Sequence, residues 1–117
     1  METRLNILLE NNVIDAEVYE YAMKIFQEYA LEHNWNETAT EVFLTHLAMA
    51  SQRIRNDDVV APMDDFILNE IKESDHFASV LEVTEKILEH SQIPFPESEK
   101  QYIWLHLTNV LNSQQED

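Results

Sequence analysis

Apolar residues recur along this chain at intervals of three and four, and the rhythm stops wherever asparagine, aspartate or proline collect. Six helices follow from that pattern. The first runs from about Thr3 to Glu10 with Leu5, Leu8 and Leu9 on one face, and Asn11-Asn12 ends it. Asp15 then caps a long helix reaching about His33, whose inward stripe is Val18, Ala22, Ile25 and Tyr29. Asn34-Trp35-Asn36 interrupts the pattern, and Asn36 caps a third helix from about Glu37 to Arg55. The core stripe of that helix is Ala39, Phe43, Leu47, Ala50 and Ile54. Beside it lies a second line of Val42, His46, Met49 and Arg53.

The second half continues in the same way. A loop from Asn56 to Pro62 leads to a short helix opened by Asp64 or Asp65 and carrying Phe66, Ile67 and Ile71. Ser74 or Asp75 caps the fifth helix, with Phe77, Val80, Leu81, Thr84, Ile87 and Leu88 inward. Ile93-Pro94-Phe95-Pro96 is a rigid connector, because proline fixes φ and cannot continue a helix. Pro96 suits the first turn of the sixth helix, whose Glu97 and Glu99 complement its positive end. This last helix reaches about Asn112. It is apolar nearly all round from Tyr102 to Leu107, which predicts a central position. Glu99, Tyr102, His106 and Asn109 share one line on it. The expected architecture is one all-α domain over residues 1–117, a compact bundle of five to six helices, with residues 1–4 and 113–117 frayed.

Composition narrows the function. The chain has 117 residues and no glycine, where ordinary usage would supply about eight. That excludes the glycine-rich loops that cradle phosphates and dinucleotides. With no cysteine there is no disulfide, thiol catalysis or zinc-finger set. The formal charge is −16, from 23 acidic and 7 basic residues. Such a surface repels nucleic-acid backbones and anionic membranes and attracts basic protein partners. No apolar run spans a membrane and no signal peptide opens the chain, so a cytoplasmic protein is expected.

The chemistry then rests on two histidines set mid-helix among apolar residues, His46 in Thr45-His46-Leu47 and His106 in Leu105-His106-Leu107. Imidazole is the side chain that titrates near neutrality, so it can act as base, nucleophile or switch, or it can simply pack with its nitrogens hydrogen-bonded. Arg53 could pair an anion, a helix-end carbonyl or an acidic neighbour. Glu99 is a first-turn helix acid or a partner of His106. His33, His76 and His90 stand near helix ends, where solvent exposure is the expectation. No His-Glu-x-x-His run or nucleophile elbow exists, so neither a metal, a cofactor nor an enzymatic role is expected.

Taken together, Thr45-His46-Leu47-Ala48-Met49-Ala50-Ser51-Gln52-Arg53, the loop with Pro62, and Phe95-Pro96-Glu97-Ser98-Glu99-Lys100-Gln101-Tyr102-Ile103-Trp104-Leu105-His106-Leu107 resemble the PTS regulation domain (PRD). The similarity covers roughly Leu5 to Leu111. It implies a helical bundle that usually dimerises, in antiterminators and activators of sugar operons. Such domains are phosphorylated on histidine by HPr or by enzyme IIB. The resemblance makes His46 and His106 the phosphoacceptors, with Arg53, Glu99 and Tyr102 in support. Thr45 stands where many members carry aspartate. No second copy and no nucleic-acid-binding module is expected. The implied function is a standalone phosphorylation-responsive regulator of carbohydrate use. The alternative is a dimerisation module that pairs with PRD-containing regulators and is not phosphorylated. Each phosphoryl group adds roughly two negative charges. Two of them facing across a dimer at an assumed ~10 Å would repel by roughly 6 kcal/mol at an effective dielectric of ~20, and by about 1–2 kcal/mol in bulk water.

Overall fold

The computed structural model describes residues 2–58, 60–91 and 93–114. Within them the chain forms α1 (Glu2–Glu10), α2 (Ala16–Ile25), a π-helical segment (Phe26–Leu31), α3 (Glu37–Arg55), α4 (Asp65–Lys72), α5 (Phe77–Glu89) and α6 (Glu97–Gln114), with no strand. The all-α bundle is as the apolar rhythm predicts. Residues 2–4 and 113–114 are helical rather than frayed. Met1 and 115–117 lie outside the described residues.

Local chemistry sets the helix boundaries. Asp15 accepts a hydrogen bond from the Val18 amide at 2.9 Å, and Asn36 does the same for Ala39 at 2.9 Å. Asp64 accepts from the Phe66 amide at 2.9 Å, so α4 begins at Asp65. These carboxylate and amide oxygens satisfy donors that a helix start leaves without an intrahelical partner. The Ser74 hydroxyl accepts from the His76 amide at 3.2 Å, and α5 begins at Phe77, later than a cap at Ser74 or Asp75 implies. Left-handed backbone is needed where helices turn off. Glycine being unavailable, it is taken by Asn12 (φ 60°), Asn34 (φ 53°) and Asp57 (φ 61°), whose short polar side chains tolerate it.

The predicted long second helix departs from expectation in its last turns. The chain shifts to i→i+5 bonding after Ile25, and the Trp35 amide donates to the Ala30 carbonyl at 2.9 Å. A π register brings the fifth residue beneath Ile25 in place of the fourth. Ala30 is therefore buried, and Tyr29 swings to the flank, half-buried. On α4 only Ile71 is buried, while Phe66 and Ile67 face solvent.

The main core joins Ile25, Phe43, Leu44, Leu47, Met63, Ile71, Val80, Ile87, Ile103, Trp104, Leu107 and Val110. A smaller cluster of Leu5, Ile14, Val18, Ala22 and Ala48 docks α1 on α2 and α3. The buried face of α3 is wider than the predicted stripe. It adds Leu44, Ala48, Thr40 and Ser51, while Ala39 and Ile54 are half-buried. Helix α6 packs most extensively on α3 and α5, and also on α4. That central position is why it carries apolar residues on nearly every side. No helix of the described residues is long and apolar enough to cross a membrane.

Candidate functional site: a histidine pair on the seam of α3 and α6

Helices α3 and α6 meet along their second lines. The His46 and His106 rings lie 4.3 Å apart between centroids, tilted by 42°. Seven residues onward from His46, the Arg53 guanidinium donates from Nε to Glu99 Oε2 at 3.1 Å and from Nη2 to Oε1 at 3.0 Å. Glu99 lies seven residues before His106, so the paired positions run in opposite directions and the two helices are antiparallel. The fork-on-fork pairing fixes both planes. Glu99 is 1 % exposed, so Arg53 is its counter-charge in a place water does not reach. Tyr102 stands one turn from each feature. Its ring centroid is 6.0 Å from that of His46, and its hydroxyl donates to the Ala61 carbonyl at 3.3 Å. Gln101 Oε1 accepts from the Met63 amide at 2.9 Å, so the loop after α3 is fastened to α6 beside the pair.

Both imidazoles are half-buried. His46 Nε2 and His106 Nδ1 are buried and have no hydrogen-bond partner among the described residues. Burial, then the charges of His106 and Arg53, pushes the His46 pKa down to about 4. Burial also lowers that of His106. Both rings are thus held neutral at pH 7, the state in which a ring nitrogen keeps its nucleophilic lone pair. Arg53 uses Nε and Nη2 on Glu99, leaving Nη1 without a hydrogen bond among the described residues. A fixed guanidinium nitrogen beside a neutral imidazole suits an arriving phosphoryl oxygen.

The site has an open side. Val42 (52 % exposed) and Met49 (38 % exposed) flank His46 on α3. A cavity of about 290 Å³ lined by Asn36, Thr38, Ala39, Val42, His106, Asn109 and Ser113 reaches the His106 ring. Thr45 precedes His46, but its hydroxyl is buried without a partner and does not orient the ring.

The chain matches the PRD domain family over residues 20–110. It belongs to that family. The match spans the π segment, α3 and its loop, α4, α5 and nearly all of α6, and so contains the whole histidine site. This PRD is also similar to the uncharacterized protein YhfY of Escherichia coli (strain K12), at 29 % identity over 110 residues, covering 92 % of this chain and 91 % of that protein. No solved structure matches it.

The structure brings together all five residues singled out in the sequence: His46, His106, Arg53, Glu99 and Tyr102. The structure chooses between the alternatives left open for two of them: Arg53 pairs an acidic neighbour, Glu99, and Glu99 is a first-turn acid of α6 that does not bond His106. The equal seven-residue offsets from the two histidines were the signal for this pairing, once α3 and α6 are taken as antiparallel. The two rings are also close within one protomer, a proximity separate from the ~10 Å assumed between protomers. Away from the site, His33 and His90 are exposed as expected. His76 is not: it is half-buried, with Nε2 buried and unpartnered.

Proposed function

We propose that this PRD is a phosphorylation-responsive regulator coupled to the sugar phosphotransferase system. It accepts a phosphoryl group on His46 or His106 from HPr or an enzyme IIB. The observation that carries the reading is the His46–His106 contact at 4.3 Å, with buried nitrogens unpartnered and Arg53 locked alongside by Glu99. Buried ring nitrogens are usually engaged, and what sets this pair apart from His76 is that two such rings face each other. Arg53 is the charged group whose field reaches His46.

The output is a change in association. The incoming group adds roughly two negative charges between Val42 and Met49, the exposed apolar residues on α3 that would rim a contact with a second copy or with another PRD-containing regulator. A local charge placed beside such a rim alters packing between protomers. The domain receives a signal and turns over no substrate, works in the cytoplasm where its donors act, and controls carbohydrate use through partners rather than by touching nucleic acid. The formal charge of −16 supports the last point.

The test is direct. Incubation with phosphoenolpyruvate, enzyme I and HPr, or with enzyme IIB, gives an acid-labile, alkali-stable label. That label is lost in one or both of His46→Gln and His106→Gln. Full labelling of the double variant, or no label from any donor, overturns the proposal. A second reading is also favoured by exposed Val42 and Met49: a dimerisation module that is never phosphorylated. It predicts mixed dimers with PRD-containing regulators by size-exclusion chromatography, together with no label.

A further inference from the structure

We infer that the His46–His106 pair holds one phosphoryl group at a time, and that the imidazole left unmodified takes up a proton and becomes its counterion. This rests on the phosphoryl acceptance proposed above.

Geometry makes the first half of the case. Ring centroids 4.3 Å apart leave no room for water between the imidazoles, so a group on either ring lies against the other. Coulomb repulsion scales with the product of charges, so two dianions repel about four times as strongly as two single charges at the same distance. The site has little to offset that. Arg53 is the cation at hand, and Glu99, 1 % exposed, already holds two of its nitrogens. Tyr102, the other titratable group facing His46, donates its hydroxyl to the Ala61 carbonyl. The nearby guanidinium and carboxylate sum to about zero, which leaves no fixed positive charge for a second dianion.

The second half follows from proton bookkeeping. A lone pair on the accepting ring attacks phosphorus, and the P–N or P–S bond to the donor's phosphohistidine or phosphocysteine breaks. The accepting ring then gives up the proton on its other nitrogen. A proton returns to the donor's leaving nitrogen, or to solvent when the leaving group is a thiolate. No oxidant or further co-reactant enters. The opposing imidazole now faces a dianion, which favours its charged form, and it takes one proton from solvent. His46 Nε2 and His106 Nδ1, buried and unpartnered, are the atoms that lack a bond in the unmodified state. A protonated imidazole has no free lone pair in the ring plane, so the second ring stops being a nucleophile as soon as it becomes a counterion.

Intact-mass spectrometry at neutral to alkaline pH, on the full chain driven to saturation with phosphoenolpyruvate, enzyme I and the competent donor, reads the stoichiometry. One phosphoryl increment per chain is the expected result. Two increments overturn the inference while leaving phosphoryl acceptance standing. No increment with any donor overturns the acceptance reading and this inference with it. Nitrogen-15 NMR of the singly modified, histidine-labelled protein then separates a counterion from a ring that is merely inert. The unmodified partner should show imidazolium shifts near pH 7, where the unphosphorylated protein shows neutral rings. A neutral partner beside a phosphohistidine overturns the proposal.

Discussion

Among the described residues two clusters of histidine and tyrosine differ in burial, in partners and in the charge beside them. One is His46, His106 and Tyr102 on the seam of α3 and α6. The other is His90, Tyr29 and His33 at the ends of α5 and the π segment. In the second, Tyr29 Oη and His90 Nε2 lie 3.3 Å apart in a hydrogen bond, and Glu28 approaches His90 to 3.6 Å. His33 stacks on Trp35 with centroids 6.4 Å apart. These rings are exposed or at the edge, have partners, and sit beside an acid that repels anions. The first cluster lies mid-helix where two helices press together, with buried nitrogens unpartnered and an arginine at hand. Residue type is shared. Position along the helix decides which imidazole loses water, and the sign of the neighbouring charge decides what it can receive.

The strongest way to break the contrast is to remove the charge that distinguishes the first cluster. Arg53→Ala strands the Glu99 carboxylate in a place that is 1 % exposed. Deleting one partner of a buried pair costs about 3–5 kcal/mol, whereas replacing both by apolar residues of similar size is often neutral. Urea unfolding should show a loss of that size for Arg53→Ala and recovery of most of it in Arg53→Met with Glu99→Leu. Glu28→Ala, beside the second cluster, should stay within about 0.5 kcal/mol of the parent because that carboxylate is exposed. Equal losses at the two sites would remove the distinction.

Much of this was legible in the sequence, and the parts that were not share a cause. Asn12, Asn34 and Asp57 announce the helix exits because a chain without glycine has few other residues for positive φ. The lines through His46 and His106 follow from helical spacing alone. The Arg53–Glu99 bond needs one further fact, the direction in which α3 and α6 cross, and no single helix records its neighbour's direction. The π segment escapes for a related reason. Tyr29 and Ala30 are both acceptable inward residues after Ile25, so the periodicity reads equally well in either register. Packing made the choice, burying the small Ala30 and sending Tyr29 to His90. Exposed Phe66 and half-buried His76 likewise depend on what lies opposite, which is tertiary information.

A smaller effect separates the clusters by pH. The folded His46 pKa of about 4 lies below its ordinary 6.5, through burial first and then the charges of His106 and Arg53. Between those values the unfolded chain binds a proton that the folded chain refuses. Stability from this ring is therefore complete above pH 6.5 and is lost as the pH falls towards 4. His106, lowered by burial, acts in the same direction. After discounting for solvent reaching a half-exposed ring, the loss should be about 1–2 kcal/mol. Chemical denaturation at a series of pH values checks it. The double variant His46→Gln with His106→Gln should flatten the slope in that window, leaving the fall below it that Asp15, whose own pKa is lowered from 3.8, contributes on further acidification. A slope that survives in the double variant would assign the titration elsewhere.

The smallest effect concerns the second cluster itself. The Tyr29–His90 hydrogen bond is long at 3.3 Å and exposed, so water replaces it easily when either partner is removed. Tyr29→Phe should cost about 0.5 kcal/mol, the low end for an intramolecular hydrogen bond. His90→Ala should cost no more, and the double variant should equal the sum of the singles less a coupling of a few tenths of a kcal/mol. Neither change should alter phosphoryl labelling, because Tyr29 and His90 bond each other and neither seam histidine, and the acid beside them disfavours an anion. If His90→Ala abolished the label, the sign of the neighbouring charge would not be what separates an accepting imidazole from an ordinary one, and the comparison would fail at its base.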